Sequence, residues 1–205
     1  AISLIRSHGA STYPCVVRQR TPSTYLLSLP SIWSIVVAAL IALPCSAQHQ
    51  PSTYLFVGTY TEGRPDEGVF VYRFDEETGS LDLVAHGEDL TNPSFLTVSP
   101  TGGTIYACTE SKMPGFGSVT ALAFDSVKGE LRLLNKQPSG GENPVHVTMD
   151  LSGRWVVNVN YTEASLSVFP VQADGSLGTR AQQFRFMEGS LALQGRQDAA
   201  HLHAA

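Results

Sequence analysis

Basic charge is scarce in most of this chain. Three of its thirteen Lys and Arg residues precede the first acid, Glu62, and from Gln48 onward ten face eighteen Asp and Glu. Such a surface repels phosphate backbones and no basic stripe offsets it, which speaks against nucleic-acid binding. Cysteine is nearly missing as well. Only Cys108 lies beyond residue 47, so no internal disulfide framework can hold the body of the chain. No stretch after Ala47 keeps a helical period, which excludes a helical bundle or solenoid. Eighteen glycines and twelve prolines are what a turn-rich β protein requires.

Long apolar runs are also absent, with one exception. Ile32 to Leu43 is apolar but for Ser34, follows Arg18 and Arg20, and ends at Pro44. As a helix it would span about 18 Å, short of a bilayer core of about 30 Å. Cys45-Ser-Ala47 then offers small residues at −3 and −1 before Gln48, the pattern of a cleaved secretory signal. A hydrophobic strand or a membrane anchor is the competing reading. Residues 1–47 are thus expected to be a leader with its apolar core at 32–43, and 48–205 the folded domain. The domain would be exported, with no stable membrane insertion after cleavage; without a genuine signal it would be cytoplasmic. No methionine precedes Met113, so the first twenty or so residues read as upstream frame.

The domain repeats itself. Asn92-Pro-Ser-Phe-Leu-Thr-Val-Ser-Pro-Thr-Gly102 aligns without a gap on Asn143-Pro-Val-His-Val-Thr-Met-Asp-Leu-Ser-Gly153, an offset of 51. Phe-Asp-x-x-x-Gly-x-Leu occurs at Phe74 to Leu81 and again at Phe124 to Leu131, with a shortened copy at Asp174 to Leu177. Each period holds four short β segments; in the second copy these are Val145 to Met149, Trp155 to Asn160, Ser165 to Val171 and a strand after Leu177. The turns Asp150 to Gly153 and Ala173 to Ser176 carry residues that tolerate positive φ. A four-stranded unit of about 50 residues is a propeller blade. A β-sandwich would predict no ungapped self-match of this kind. The expected fold is therefore all-β, a β-propeller with four antiparallel strands per blade and about three blades between Gln48 and Ala205. Natural rings close with about four to eight blades, so the chain reads as part of a larger ring, and three blades alone are expected to be inactive.

Polar residues that could do chemistry collect near the end, in Arg196-Gln197-Asp198-Ala-Ala-His201-Leu-His203. On a strand, His201 and His203 share a face, and the innermost strand of a blade lines the central channel. Imidazoles there suit general acid or base work, and Arg196 offers a planar fork for an anion. His146 replaces Phe95 between the repeats, Glu110 stands where the next repeat has Tyr161, and Asn160 precedes that tyrosine. These break the apolar pattern at strand ends. A metal site would need further ligands at a diagnostic spacing, and none is evident, so neither metal nor cofactor is expected. No Gly-x-Ser-x-Gly elbow and no phosphate-cradling glycine loop occurs.

Taken in order, Phe56-Val-Gly-Thr-Tyr60, Asn92-Pro93, Phe124-Asp125 to Leu131, Asn143-Pro-Val-His146, Val159-Asn-Tyr161 and Arg196-Gln197…His201-Leu-His203 resemble the β-propeller lactonase family, typified by the bacterial propeller 6-phosphogluconolactonases. The resemblance runs from about Tyr54 to the end. It implies a seven-bladed propeller that hydrolyses a sugar lactone at the channel mouth without a known metal requirement. Carried onto this sequence, it implies His201, His203 and Arg196 as catalytic residues and Gln197, His146, Asn160 and Glu110 as substrate-binding ones. Ala200 departs from the proline or serine that commonly precedes the first histidine. The alternatives are a non-enzymatic exported propeller that binds a glycan or a protein, and a carboxymuconate-type cyclase.

Overall fold

The structure is a computed structural model that describes residues 2–6, 52–61, 64, 68–87, 89–189 and 197–205. The apolar run at 32–43 and Arg196 lie outside the described residues. Among the described residues no helix is long and apolar enough to cross a membrane.

Among the described residues twelve strands form three four-stranded antiparallel sheets. The first contains β1 (Ile2–Arg6), β2 (Thr53–Gly58), β3 (Val69–Phe74) and β4 (Leu81–Gly87) in that order. The second contains β5 (Phe95–Val98), β6 (Thr104–Thr109), β7 (Phe116–Asp125) and β8 (Glu130–Glu142). The third contains β9 (Pro144–Met149), β10 (Trp155–Asn160), β11 (Ser165–Pro170) and β12 (Gln182–Arg185). Each sheet takes its strands in chain order, so the expected three blades are present. The strands of the third blade fall where the repeat places them, except that β11 stops at Pro170 and Val171 forms an isolated bridge with Leu177. Ile2–Arg6, part of the expected leader, pairs antiparallel with β2 from Ile2 opposite Val57 to Arg6 opposite Thr53.

The blades stack through the faces of their sheets. Strand β6 is buried on both sides because alternate residues serve different neighbours. Ile105 and Ala107 join Tyr54, Phe56, Val69 and Val71 of the first blade, whereas Tyr106 and Cys108 join Val147, Val156 and Phe169 of the third. Each fully buried aliphatic or aromatic side chain contributes about 1.5–3 kcal/mol. One blade alone would leave both faces wet, so stacking supplies the core. The motif residue Phe124 wedges the first joint, meeting Tyr54 and Phe56 edge-on at centroid distances of 4.9 and 5.4 Å.

The rest of that motif builds the outer hairpins. Asp75 Oδ1 accepts hydrogen bonds from the backbone of Glu77 and Thr78, and Asp125 Oδ1 from Val127 and Lys128. These bonds hold both carboxyls below the usual range. Gly79 and Gly129 then close the turns at φ 73° and 68°, a region that favours glycine.

Candidate active site

The inner strands of the second and third blades, β5 and β9, each begin at an Asn-Pro pair, and this pair joins neighbouring blades. Asn92 Oδ1 accepts from the backbone N–H of Thr61, at 2.9 Å, and its amide donates to Ser111 O at 2.8 Å. One blade on, Asn143 Oδ1 accepts from the backbone N–H of Lys112, again at 2.9 Å. Both asparagines sit in the left-handed region, at φ 44° and 55°, where Asn is tolerated better than most residues. The staples bring the loops after β2 and β6 to the entrances of the inner strands, and the loop after β10 is tied there by the Tyr161 N–H, which donates to the backbone carbonyl of Asn143 at 3.0 Å.

Between them opens a cavity of about 600 Å³. Tyr60 and Lys112 form one side, the strand entrances contribute Ser94, Phe95, Asn143 and Val145, and Tyr161 and His203 complete it. Lys112 is exposed and its ammonium stands over the Tyr60 ring, 4.6 Å from the centroid. A second cavity of about 330 Å³ lies at the other end of the inner strands, beside Ser99, Pro100 and Met149, and holds no imidazole.

Three imidazoles cluster about the first cavity. His201 stacks on Tyr161 with centroids 4.6 Å apart and planes 13° from parallel, and His203 meets the same ring edge-on at 6.0 Å. His201 Nδ1 lies 3.2 Å from the backbone carbonyl of Tyr161. A carbonyl can only accept, so this contact selects the Nδ1–H tautomer and leaves Nε2 as the basic nitrogen. His146 packs against Phe95 at 4.5 Å. Burial, and then the charge of His203, hold its pKa below the ordinary value. Its Nδ1 is buried and has no hydrogen-bond partner among the described residues.

The other sequence-predicted residues are placed differently. Asn160 is fully buried and faces the joint between blades, not the cavity. Its amide donates to Ser165 Oγ at 2.9 Å and to Ser139 O at 3.2 Å, and its Oδ1 accepts from Asn158. All its polar capacity is spent on packing. Glu110 also points away from the cavity lining, paired with Lys136 at 2.6 Å and accepting from Ser118 Oγ at 2.5 Å. Burial works against its charge, but the bonds from Lys136 and Ser118 prevail and hold the carboxyl below its ordinary value. Gln197 is half-buried, with its backbone carbonyl against Gly189. Among the described residues no three His, Cys, Asp or Glu side chains gather as metal ligands.

Sequence patterns missed Lys112 and Tyr60. Lys112 occupies the repeat position held by Thr61 one blade earlier, and nothing in the sequence around it marks it as a cavity residue.

Three stacked antiparallel blades with a polar mouth above their inner strands define a β-propeller. The family model described as "Lactonase, 7-bladed beta-propeller" matches residues 54–205, and the chain belongs to that family. It is similar to a 6-phosphogluconolactonase of Formosa agariphila, 37% identical over 150 residues that make up 73% of this chain and 42% of the relative. A Bacillus subtilis 6-phosphogluconolactonase is 36% identical over 60% of this chain and 34% of its own length. Among solved structures, the periplasmic gluconolactonase of Pseudomonas aeruginosa superposes with a TM-score of 0.65 at 31% identity, covering 75% of this chain and 43% of that one. The chain thus spans about two fifths or less of the length of the relatives it matches.

Proposed function

We propose that this chain carries the imidazole side of a site that hydrolyses a sugar lactone. The observation that carries the reading is the gathering of His201 and His203 on the Tyr161 ring, one stacked and one edge-on, at the edge of the cavity. Its support is membership of the lactonase propeller family and likeness to proteins named 6-phosphogluconolactonase and gluconolactonase.

His203 lines the cavity and serves as general base. Its neutral imidazole removes a proton from water as the water oxygen attacks the lactone carbonyl carbon, and the carbonyl π pair moves onto oxygen. A cation offsets that oxyanion, the role assigned to Arg196 from its sequence position. Collapse re-forms the carbonyl and breaks the ring C–O bond. The departing alkoxide takes its proton from the His203 imidazolium, which yields an open-chain hydroxy acid. Tyr161 keeps both imidazoles in place, and its carbonyl fixes the tautomer of His201. The apolar run at 32–43 and the likeness to a periplasmic relative support an exported protein.

A pH-stat assay of the intact protein on glucono-δ-lactone tests this, because ring opening releases an acid. His203→Gln should lower kcat by about a hundredfold or more, with His201→Gln a smaller loss. Turnover by a folded His203→Gln protein at the unsubstituted rate would remove His203 as the base. Turnover no faster than the spontaneous reaction in the unsubstituted protein would favour a binding propeller instead.

A further inference from the structure

Lys112 is a cation with no carboxylate partner among the described residues. The nearest acid along its own loop is Glu110, and that carboxylate is already held by Lys136 and Ser118 on β8 and β7. The Lys112 backbone is fixed too, since its N–H donates to Asn143 Oδ1 and its φ is 58°. Its ammonium is steadied by the Tyr60 ring rather than by an anion. Cation–π contact holds a lysine without neutralising it, so the charge stays available to a ligand. That charge lines the same cavity as His203.

We propose that Lys112 is a specificity-determining residue, selecting lactones that carry an anionic substituent, phosphate or carboxylate, at the end of the sugar away from the ring carbonyl. This rests on the lactonase reading of the cavity and adds to it the residue that reads the charge of the substrate. Lysine acts here as a point charge rather than a bidentate fork, so either anion is accepted. Tyr60 contributes by orienting the ammonium into the cavity.

The test compares the intact protein with Lys112→Gln and Lys112→Arg on 6-phosphogluconolactone and glucono-δ-lactone. The ratio of kcat/KM for the phosphorylated over the neutral lactone should fall about tenfold in Lys112→Gln, as expected for a lost charge-assisted contact. Lys112→Arg should restore most of it. An equal loss on both substrates would mean that Lys112 only holds the loop, and an unaltered ratio would remove it from specificity; either result overturns the proposal. Calorimetric titration with 6-phosphogluconate, glucarate and gluconate reads the same charge without turnover. Lys112→Gln should weaken the first, the second or both, while gluconate is weakened least. The stronger effect identifies phosphate or carboxylate as the preferred anion, and equal weakening of all three overturns the charge assignment. If the protein opens no lactone, the hydrolysis reading fails while the titrations still decide the role of Lys112.

Discussion

The imidazole of His201 lies flat on the phenol ring of Tyr161, 4.6 Å between centroids, while the backbone carbonyl of the same tyrosine faces its Nδ1 at 3.2 Å. One residue thus sets both the plane and the tautomer of a candidate catalytic group. Ring and carbonyl can be separated by mutation, because the carbonyl remains when the side chain is cut. Tyr161→Leu should lower kcat for lactone opening by about tenfold, given that an aromatic pair of this kind contributes about 0.5–1.5 kcal/mol. Tyr161→Phe keeps the stack and should retain most activity. A Phe variant as impaired as the Leu variant would shift the role from the ring to the hydroxyl.

The Asn-Pro staples should matter more for stability than for chemistry. Asn92 is buried, accepts from Thr61 and donates to Ser111, at a φ of 44°. Asn92→Ala leaves those backbone groups without partners and strains the backbone, so the unfolding free energy from urea titration should drop by at least about 2 kcal/mol. Asn92→Gly removes the bonds but accepts the dihedral, and should recover about 1 kcal/mol of that loss. Equal losses would show that the backbone conformation costs nothing here.

Two glycines of one motif give a controlled comparison. Gly79 and Gly129 share a φ near 70°, but a Cβ on Gly79 would meet nothing within 4 Å, whereas one on Gly129 would come within 2.9 Å of Val84 O in the neighbouring blade. Gly79→Ala should cost about 1 kcal/mol for the dihedral alone. Gly129→Ala adds a clash with backbone across the joint and should cost at least about 1 kcal/mol more. Thermal midpoints that fall equally would mean that the joint yields without strain.

Much of the fold was legible because a propeller writes its period into the chain. The Asn92 and Asn143 segments align without a gap, and the motif from Phe124 to Leu131 marks a hairpin whose Asp125 and Gly129 do what turn chemistry demands. The site was legible only in part. His201 and His203 were expected to share a face on an inner strand; residues 200–205 form no strand, yet both imidazoles reach the Tyr161 ring. Asn160 and Glu110 broke the apolar pattern as ligands would, but each is satisfied by partners on other strands, Ser139 for one and Lys136 for the other. Partnership across 21 or 26 residues leaves no local trace. Lys112 escaped for the same reason, since its worth depends on Tyr60 in the previous blade.

His146 offers the sharpest test of the repeat as a physical template, because the equivalent residue one blade earlier is Phe95, against which it packs. The pKa of His146 is lowered by burial and by His203, so the unfolded chain binds its proton more readily than the folded one. Stability then rises with pH between the lowered folded value and the ordinary value near 6.5, and is lost as pH falls through that window. His146→Phe removes the titrating group and the unpartnered Nδ1 together and installs the side chain the previous blade already carries. It should be at least as stable as the unsubstituted protein at pH 7, with a shallower fall in unfolding midpoint as the pH is lowered below about 6.5. A variant that keeps the original acid slope would locate that titration in another group, with His201 and His203 the next two to replace.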